Sequence, residues 1–165
     1  MKLTRSIWSM REVRFRGKRV DNGEWVYGNR VTYDSYAYIL AEFEIHKYVL
    51  DGKQLSSLQT IEVVPETVGQ WTGLYDKNGL RIFDGDIVGE DHWGRGVFDS
   101  LYEVVFRDGC FGMIERIEWL AIDGDTGIDE VYHAFYDNER EERFETERRV
   151  EVLGNKFDNP ELMKR

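Results

Sequence analysis

The acidic segment from Asp123 to Glu130 (DGDTGIDE) is the part of the sequence whose residue types best suit a metal ion. Carboxylates at Asp123, Asp125 and Asp129 could supply the hard oxygen ligands that Ca²⁺ and Mg²⁺ prefer. The spacing departs from an EF-hand loop, because Gly127 stands where that loop has a ligand. We therefore expect an acidic turn and no cofactor, and we keep a divalent-ion site as the alternative.

The sequence offers no set of residues that is typical of nucleophilic or acid–base catalysis. His92 lies beside Asp91 among glycines and is the best placed of the three histidines, but no other reactive side chain converges on it in sequence. Cys110 is the only cysteine, and a free cysteine is most often a buried core residue. We expect a non-enzymatic protein. The alternative is a metal-dependent hydrolase that uses His92 or the three aspartates of the acidic segment.

A second candidate site combines arginines with aromatic residues near the N-terminus. Val13 and Phe15 alternate with Arg14 and Arg16, which predicts a half-buried strand with the arginines on its solvated face. Trp25 and the tyrosine two residues later follow in the next predicted strand. Stacking aromatics beside cations are typical of proteins that bind single-stranded nucleic acid. A plain hairpin with charged outer positions accounts for the same pattern.

The charge of the whole chain disfavours that nucleic-acid function. The formal net charge is −10, and phosphate contacts require a concentrated positive field. Acids are concentrated between Trp119 and Tyr136, where no Lys or Arg occurs. This polarity suits a basic protein partner, although acidic residues that serve only solubility give the same pattern. Exposed strand edges and abundant aromatics also make homo-oligomers plausible.

Short strands and tight turns dominate the sequence and predict a mainly antiparallel β fold with short helical segments. The strands around Phe83–Val88, Glu103–Phe106, Phe111–Met113 and Val150–Leu153 could close a small SH3-like barrel. Asn159-Pro160 predicts a terminal helical turn. The sequence contains no membrane-length apolar run and no secretory signal, so we expect an intracellular protein.

The stretch from Gln70 to Val88 (QWTGLYDKNGLRIFDGDIV) organises this fold. Asn78-Gly79 and Asp84-Gly85 accept the positive φ angles of tight turns, so two chain reversals are predicted within a few residues. Asp76 and Asp84 are expected to cap these turns through hydrogen bonds to the backbone.

Three blocks of the sequence together resemble the YopX family of small phage and prophage proteins. The blocks are MREVRFR from Met10 with Trp25-Val-Tyr27, VPETVGQWTGLYDKNG from Val64 with IFDGDIV from Ile82, and VLGN from Val152 with DNPEL from Asp158. The family usually begins where Met10 stands, so the resemblance implies that residues 1–9 are an N-terminal extension, and we expect residues 10–165 to form a single domain.

The resemblance implies a phage-derived, mainly β accessory protein without established catalytic residues, located in the host cytoplasm. It carries no functional site over to this chain. Our leading hypothesis is an interaction module that binds a host or phage macromolecule, with a protein as the expected partner. The residues put forward for binding are Arg14, Arg16, Trp25, Asp123, Asp125 and Asp129.

Overall fold

The computed structural model describes residues 12–50, 53–91, 98, 100–120, 126–137, 142–143 and 149–163. Side chains are described throughout these ranges except in residues 41–50, 53–59, 116–120, 126–129, 136–137 and 142–143. The predicted N-terminal extension, residues 1–9, lies outside the described residues, and its separation from a single domain over 10–165 stays a prediction. The chain divides between Gly73 and Leu74 into two compact units, each with its own hydrophobic cluster.

The N-terminal unit is built on an antiparallel sheet in which sequential strands are neighbours. Its strand order is β4-β3-β2-β1-β5, and β6 follows β5 in the same order. The strands are β1 (Phe15–Lys18), β2 (Trp25–Tyr33), β3 (Tyr36–Leu50), β4 (Lys53–Val63) and β5 (Gly69–Tyr75), whose last two residues already belong to the C-terminal unit.

One face of the N-terminal sheet carries a small apolar core. Ala37, Ile39 and Val63 are buried there, with Phe15 and Val26 packed against them. β1 approaches this core closely, because a Cβ atom at Gly17 would lie 2.9 Å from a methyl group of Val63. Elsewhere on the sheet, the end of β4 returns to the end of β1 through a bridge between Arg19 and Val63.

The C-terminal unit contains a five-stranded antiparallel sheet of order β10-β9-β8-β7-β13. A separate two-stranded pair consists of β11 and β12. The strands of this unit are β6 (Arg81–Phe83), β7 (Asp86–Glu90), β8 (Ser100–Arg107), β9 (Cys110–Leu120), β10 (Thr126–Ala134), β11 (Tyr136–Asp137), β12 (Glu142–Arg143) and β13 (Val150–Asn155).

The core of this unit lies on one face of the sheet, where alternate residues of β8 and β9 are buried. Every residue of β7 is buried. The larger cluster contains Leu74 and Ile82 from the strands that flank the central turn, together with the sheet residues Val88, Tyr102, Val104, Phe111, Met113 and Val150 and with Phe135. Three of its nine residues are aromatic, and aromatic rings bury a large area each.

Asp76 joins the turn between β5 and β6 to the last strand of the sheet. Its Oδ1 accepts hydrogen bonds from the backbone N–H groups of Asn78 and Leu80, each at 2.8 Å. Its Oδ2 accepts one from the N–H of Val152 in β13 at 3.0 Å. Next to it, the N–H of Lys77 donates to the carbonyl oxygen of Val150. The turn therefore covers the outer edge of β13.

The mainly antiparallel β prediction is confirmed, and so are the two reversals within the central stretch. Gly79 and Gly85 have φ angles of 79° and 82°, which L side chains rarely adopt. The predicted cap at Asp76 is present. At the second turn Oδ2 of Asp86, which was not singled out from sequence, accepts the N–H of Phe83 at 2.7 Å, and the cap expected at Asp84 stays a prediction.

Other expectations have mixed outcomes. The strands proposed for a barrel do share one sheet, but among the described residues this sheet is open, with β10 and β13 at its ends. The predicted terminal helical turn is present as a 3₁₀ turn at Pro160–Met163, and a second 3₁₀ turn lies at Pro65–Thr67, where none was predicted. The polar run from Lys53 to Gln59, left unassigned from sequence, belongs to β4 because it pairs with β3.

The described residues include no helix long and apolar enough to cross a membrane.

Candidate interaction surface

An exposed aromatic surface covers the outer face of β2 and β3, opposite the core. We call it the tyrosine face and define it by Tyr27, Val31, Tyr33, Tyr36 and Tyr38. Tyr33 pairs with Tyr36 and Val31 pairs with Tyr38 across the two strands, which sets these side chains on one face of the sheet. Tyr33 is 76% exposed, and all the others except Tyr38 are exposed as well. The rings of Tyr36 and Tyr38 lie 6.4 Å apart.

Trp25 borders the tyrosine face and is contacted by two cations from β1. The register places Lys18 opposite Trp25 and Arg16 opposite Tyr27, so the four side chains share the outer face. The guanidinium carbon of Arg16 lies 4.6 Å from the centre of the indole ring, and Nζ of Lys18 lies 5.6 Å from it. Such cation–π contacts contribute about 0.5–2 kcal/mol each. They fix Trp25 at the edge of the surface.

The expectation that Arg16 lies on a solvated face is wrong. Arg16 is only 6% exposed, whereas Val13, expected to point inward, is exposed. Phe15 does pack against the core as predicted. The alternation from Val13 to Arg16 therefore indicated a strand correctly, but it did not indicate which face would be covered.

Two other arginines of this region, Arg14 and Arg19, are engaged with acids. Nε of Arg14 donates to Oε1 of Glu12 at 2.6 Å. Arg19 binds Asp21 with two parallel hydrogen bonds of 2.8 and 2.6 Å. These bonds raise the pKa of Arg19 and lower the pKa of Asp21. The ion pairs of Arg14 and Arg19, together with the burial of Arg16, reduce the positive charge that these three arginines present to a ligand.

The net charge of the chain is distributed unequally between the two units. Residues 1–73 contain ten Lys and Arg against nine Asp and Glu, whereas residues 74–165 contain twelve against twenty-three. The N-terminal unit is thus nearly neutral and the C-terminal unit carries a net charge of −11. The tyrosine face belongs to the neutral unit.

The acidic segment proposed as an ion site lies only partly within the described residues. Asp123 and Asp125 lie outside them, and so does the side chain of Asp129. The backbone shows that the acidic loop ends earlier than expected, because β10 begins at Thr126 and pairs Asp129 with Ile117.

Among the described side chains, no three from His, Cys, Asp and Glu come together in a way that could hold a metal ion. The side chains of His46 and His92 lie outside the described residues. His133 packs edge-on against Tyr102, with ring centres 5.7 Å apart, and its Nε2 lies 3.9 Å from Oε2 of Glu115. The metal-site alternative therefore stays a prediction that rests on the sequence alone.

A buried polar cluster around Glu90 was not anticipated from sequence. Nε of Arg149 lies 2.6 Å from Oε1 of Glu90, and the hydroxyl of Tyr102 donates to Oε2 at 3.3 Å. Burial, together with the negative charges of Glu115 and Glu90, raises the pKa of Tyr102. Because both oxygens of Glu90 are engaged, the cluster ties β7 and β8 to the residue before β13. The one signal in the sequence was a glutamate that directly follows the apolar residues Ile87, Val88 and Gly89 of the same strand.

Cys110 is half-buried, so the expectation of a buried core thiol is wrong. It follows the turn Asp108-Gly109, and its Sγ lies 3.2 Å from the hydroxyl of Tyr132. Burial and the contact with Cys110 raise the pKa of Tyr132. These contacts join β9 to β10 at the end of the β8–β9 hairpin.

The tyrosine face itself could have been found in the sequence. Tyr33, Tyr36 and Tyr38 flank the turn Asp34-Ser35, and alternate residues of a hairpin share a face. The pattern showed that these tyrosines would lie together. It did not show that their face would be the exposed one, since tyrosine occurs in cores and on surfaces alike.

Comparison with known proteins places the chain in a described family. The family model for "YopX protein" matches residues 14–164. Among solved structures, protein EF1440 from Enterococcus faecalis is similar in fold, with a TM-score of 0.55 and 22% identity. The match covers 93% of this chain and 99% of that one. No curated protein matches the sequence.

Proposed function

The chain belongs to the YopX family, and we propose that it acts as a non-enzymatic interaction module that binds a protein partner through the tyrosine face. We further propose that it is an accessory protein of a phage or prophage and works in the cytoplasm of the host cell. The observation that carries the binding role is the cluster of Tyr27, Tyr33 and Tyr36 exposed together beside Val31.

The chemistry of this surface favours a protein partner. Tyrosine and tryptophan are enriched in the centres of protein interfaces, because their rings bury a large area while their polar atoms find hydrogen-bond partners. A ring of this size loses little conformational entropy on binding. The surface is also uncharged over most of its extent, with Lys18 on its β1 side and Glu62, opposite Tyr38, on its β4 side. A partner would be expected to bury tyrosines in the middle and to match these two charges at the rim.

Single-stranded nucleic acid is the second candidate for the same surface. The observation in its favour is that Lys18 and Arg16 lie against Trp25, next to exposed tyrosines on which bases could stack. Against it stand the burial of Arg16 and the ion pairs of Arg14 and Arg19, which leave little positive charge for phosphates. We therefore rank it below the protein partner.

The test compares proteins retained from host and phage lysates by the wild-type chain and by the variant Tyr33→Ser plus Tyr36→Ser. The matched control is Val20→Ser plus Leu80→Ser, which removes two exposed apolar side chains elsewhere. A tyrosine at the centre of an interface contributes about 2 kcal/mol, so losing one weakens binding about 30-fold. We expect a partner that is retained by the wild type and the control but lost by the tyrosine variant.

The proposal fails if the tyrosine variant, with unfolding unchanged in urea, retains the same proteins as the wild type. A parallel titration of a fluorescent single-stranded 20-mer tests the second candidate. One outcome is that the oligonucleotide binds in a way that weakens with salt and with Lys18→Ala and that is lost in the tyrosine variant. That result would identify nucleic acid, and not a protein, as the partner of the tyrosine face.

A further inference from the structure

The β3 half of the tyrosine face offers side chains to a ligand and no free strand edge. Over residues 37–40, β3 is hydrogen-bonded to β2 on one side and to β4 on the other. A partner strand therefore cannot extend the sheet there, since strand addition requires an exposed edge. The face presents the exposed rings of Tyr33 and Tyr36, with the half-buried ring of Tyr38 beside them. A partner segment that uses this half of the face lies across the rings.

The polar groups that these tyrosines bring are phenol hydroxyls, each of which can donate a hydrogen bond. A helix or a strand already uses most of its backbone carbonyl groups in its own hydrogen bonds. A polyproline II segment makes no internal hydrogen bonds, and its prolines have no backbone N–H. Such a segment brings acceptors in excess of donors, so the hydroxyl groups of Tyr33 and Tyr36 complement it.

The length of the face suits a short segment of this kind. From Tyr27 to Tyr33 the face runs along six residue steps of β2, which span about 20 Å. Polyproline II rises by about 3.1 Å per residue, so about six or seven residues cover the same distance. Because this conformation is largely formed before binding, the segment loses little entropy when it docks on aromatic rings.

Charge and composition specify the segment further. Glu62 is exposed and lies opposite Tyr38 in the register, so it provides a negative charge at the β4 border of the face. A lysine or arginine at one end of the segment is complementary to it. The segment belongs to another protein, because the two prolines of this chain, Pro65 and Pro160, each stand alone in the sequence.

We propose that the tyrosine face binds a proline-rich segment of a partner protein in the polyproline II conformation, with a basic residue of that segment against Glu62. This inference rests on the proposed function, because it names the chemistry of the partner for the same surface. The rings pack on the prolines, and the hydroxyls of Tyr33 and Tyr36 donate to carbonyl oxygens of the segment. Glu62 sets the direction in which the segment lies.

The probe is a blocked, fluorescently labelled peptide, Arg-Pro-Pro-Val-Pro-Pro-Val-Pro, titrated with the full chain and followed by anisotropy. One comparison peptide has alanine at every proline, and the other has glutamate in place of arginine. We expect the proline peptide to bind at least about tenfold more tightly than the alanine peptide. We expect it to bind about two- to fivefold more tightly than the glutamate peptide, because the contact with Glu62 lies at a solvated border.

Variants of the chain separate the rings, the hydroxyls and the charge. The tyrosine variant should weaken binding of the proline peptide at least about tenfold. Tyr33→Phe plus Tyr36→Phe keeps the rings and removes the donors, so it should weaken binding by a smaller factor, about threefold or more. Glu62→Lys should reverse the preference between the arginine and glutamate peptides. Its matched control, Glu66→Lys, reverses an exposed charge in the 3₁₀ turn after β4 and should leave that preference unchanged.

The inference is overturned if the proline peptide does not bind, if the alanine peptide binds equally well, or if binding survives in the tyrosine variant. It is also overturned if Glu66→Lys changes the peptide preference as much as Glu62→Lys does. A dimer in sedimentation that the tyrosine variant loses would overturn it too, because a second copy would then occupy the face. If a lysate protein is lost by the tyrosine variant while the proline peptide fails to bind, this inference falls and the proposed function stands.

Discussion

Replacing Asp76 by asparagine should destabilise the fold far more than the same change at an exposed turn. Asp76 is 2% exposed and accepts three backbone N–H groups, two within its own turn and one from β13. Asparagine has the same shape but only one oxygen. Whichever way its amide is oriented, an NH₂ group faces a backbone N–H that had been accepted by a carboxylate oxygen.

The magnitude follows from the bonds that are lost. A hydrogen bond to a charged group contributes about 1.5–3 kcal/mol, and a buried donor left without an acceptor costs about 1–3 kcal/mol. If the asparagine oxygen keeps the two bonds inside the turn, the bond to Val152 is lost and the loss of stability is about 2–3 kcal/mol. Asp76→Ala removes all three bonds, and we expect about 4–5 kcal/mol.

The assay is urea unfolding followed by tryptophan fluorescence, with the thermal midpoint as a second measure. For a chain of this size, a loss of 3 kcal/mol lowers the midpoint by about 6–12 °C. Asp21→Asn is the control, because Asp21 lies in an exposed turn, where solvent screens its ion pair with Arg19 and makes it a weak contributor to stability. Amide exchange at Val152 should become faster in the Asp76 variant alone.

The reasoning is refuted if the free energy of unfolding of Asp76→Asn lies within about 0.5 kcal/mol of the wild-type value, because surface substitutions usually have effects of that size. It is refuted equally if stability falls but exchange at Val152 is unchanged, since the turn would then not hold β13.

Two further outcomes test other parts of the structure. Gly28→Ala should lower the free energy of unfolding, measured in urea, by about 3 kcal/mol, because a Cβ atom there would overlap the carbonyl oxygen of Leu40. A loss below about 0.5 kcal/mol, the usual size for a surface substitution, would contradict that contact. Stability should fall as the pH rises above about 10, because the unfolded state loses tyrosine protons there while the pKa values of Tyr102 and Tyr132 are raised in the fold. Tyr102→Phe plus Tyr132→Phe should make that fall shallower, and an unchanged slope in pH-dependent urea unfolding would contradict it.

The turns were the most predictable part of this fold. Asn78-Gly79 and Asp108-Gly109 specify positive φ angles through their own residue types, so no distant contact is needed to place them. Asp76 could likewise be assigned to its turn. Its third bond, to Val152, could not be foreseen, because it joins residues 76 positions apart in the chain.

Strand faces were less predictable than the strands themselves. Period-2 alternation shows that Phe15 and Arg16 point to opposite sides, but burial of both sides of a strand depends on what the rest of the chain brings there. Arg16 is buried for that reason. The polar run of β4 was missed because pairing with β3, rather than its own hydrophobicity, makes it a strand.

The candidate surface was anticipated only at its border. Arg14, Arg16 and Trp25 attracted attention because cations beside aromatics suggest a ligand, yet the exposed centre of the surface consists of tyrosines farther along β2 and β3. Exposure is a property of the assembled sheet. The sequence alone could pair Tyr33 with Tyr36, but it could not show that both side chains would be exposed.

The position of β13 has a consequence for the synthesis of the chain. β13 is made after every other strand of its sheet, yet it pairs with β7, whose residues are all buried in the finished fold. Until residue 155 has been made, β7 has an open edge on a nearly complete apolar sheet, which is the kind of surface on which nascent chains aggregate. Pairing of β13 and docking of the Asp76 turn on its outer side close that edge together. A chain interrupted before Val150 would therefore be expected to need chaperones, even though four of the five strands of its sheet are present.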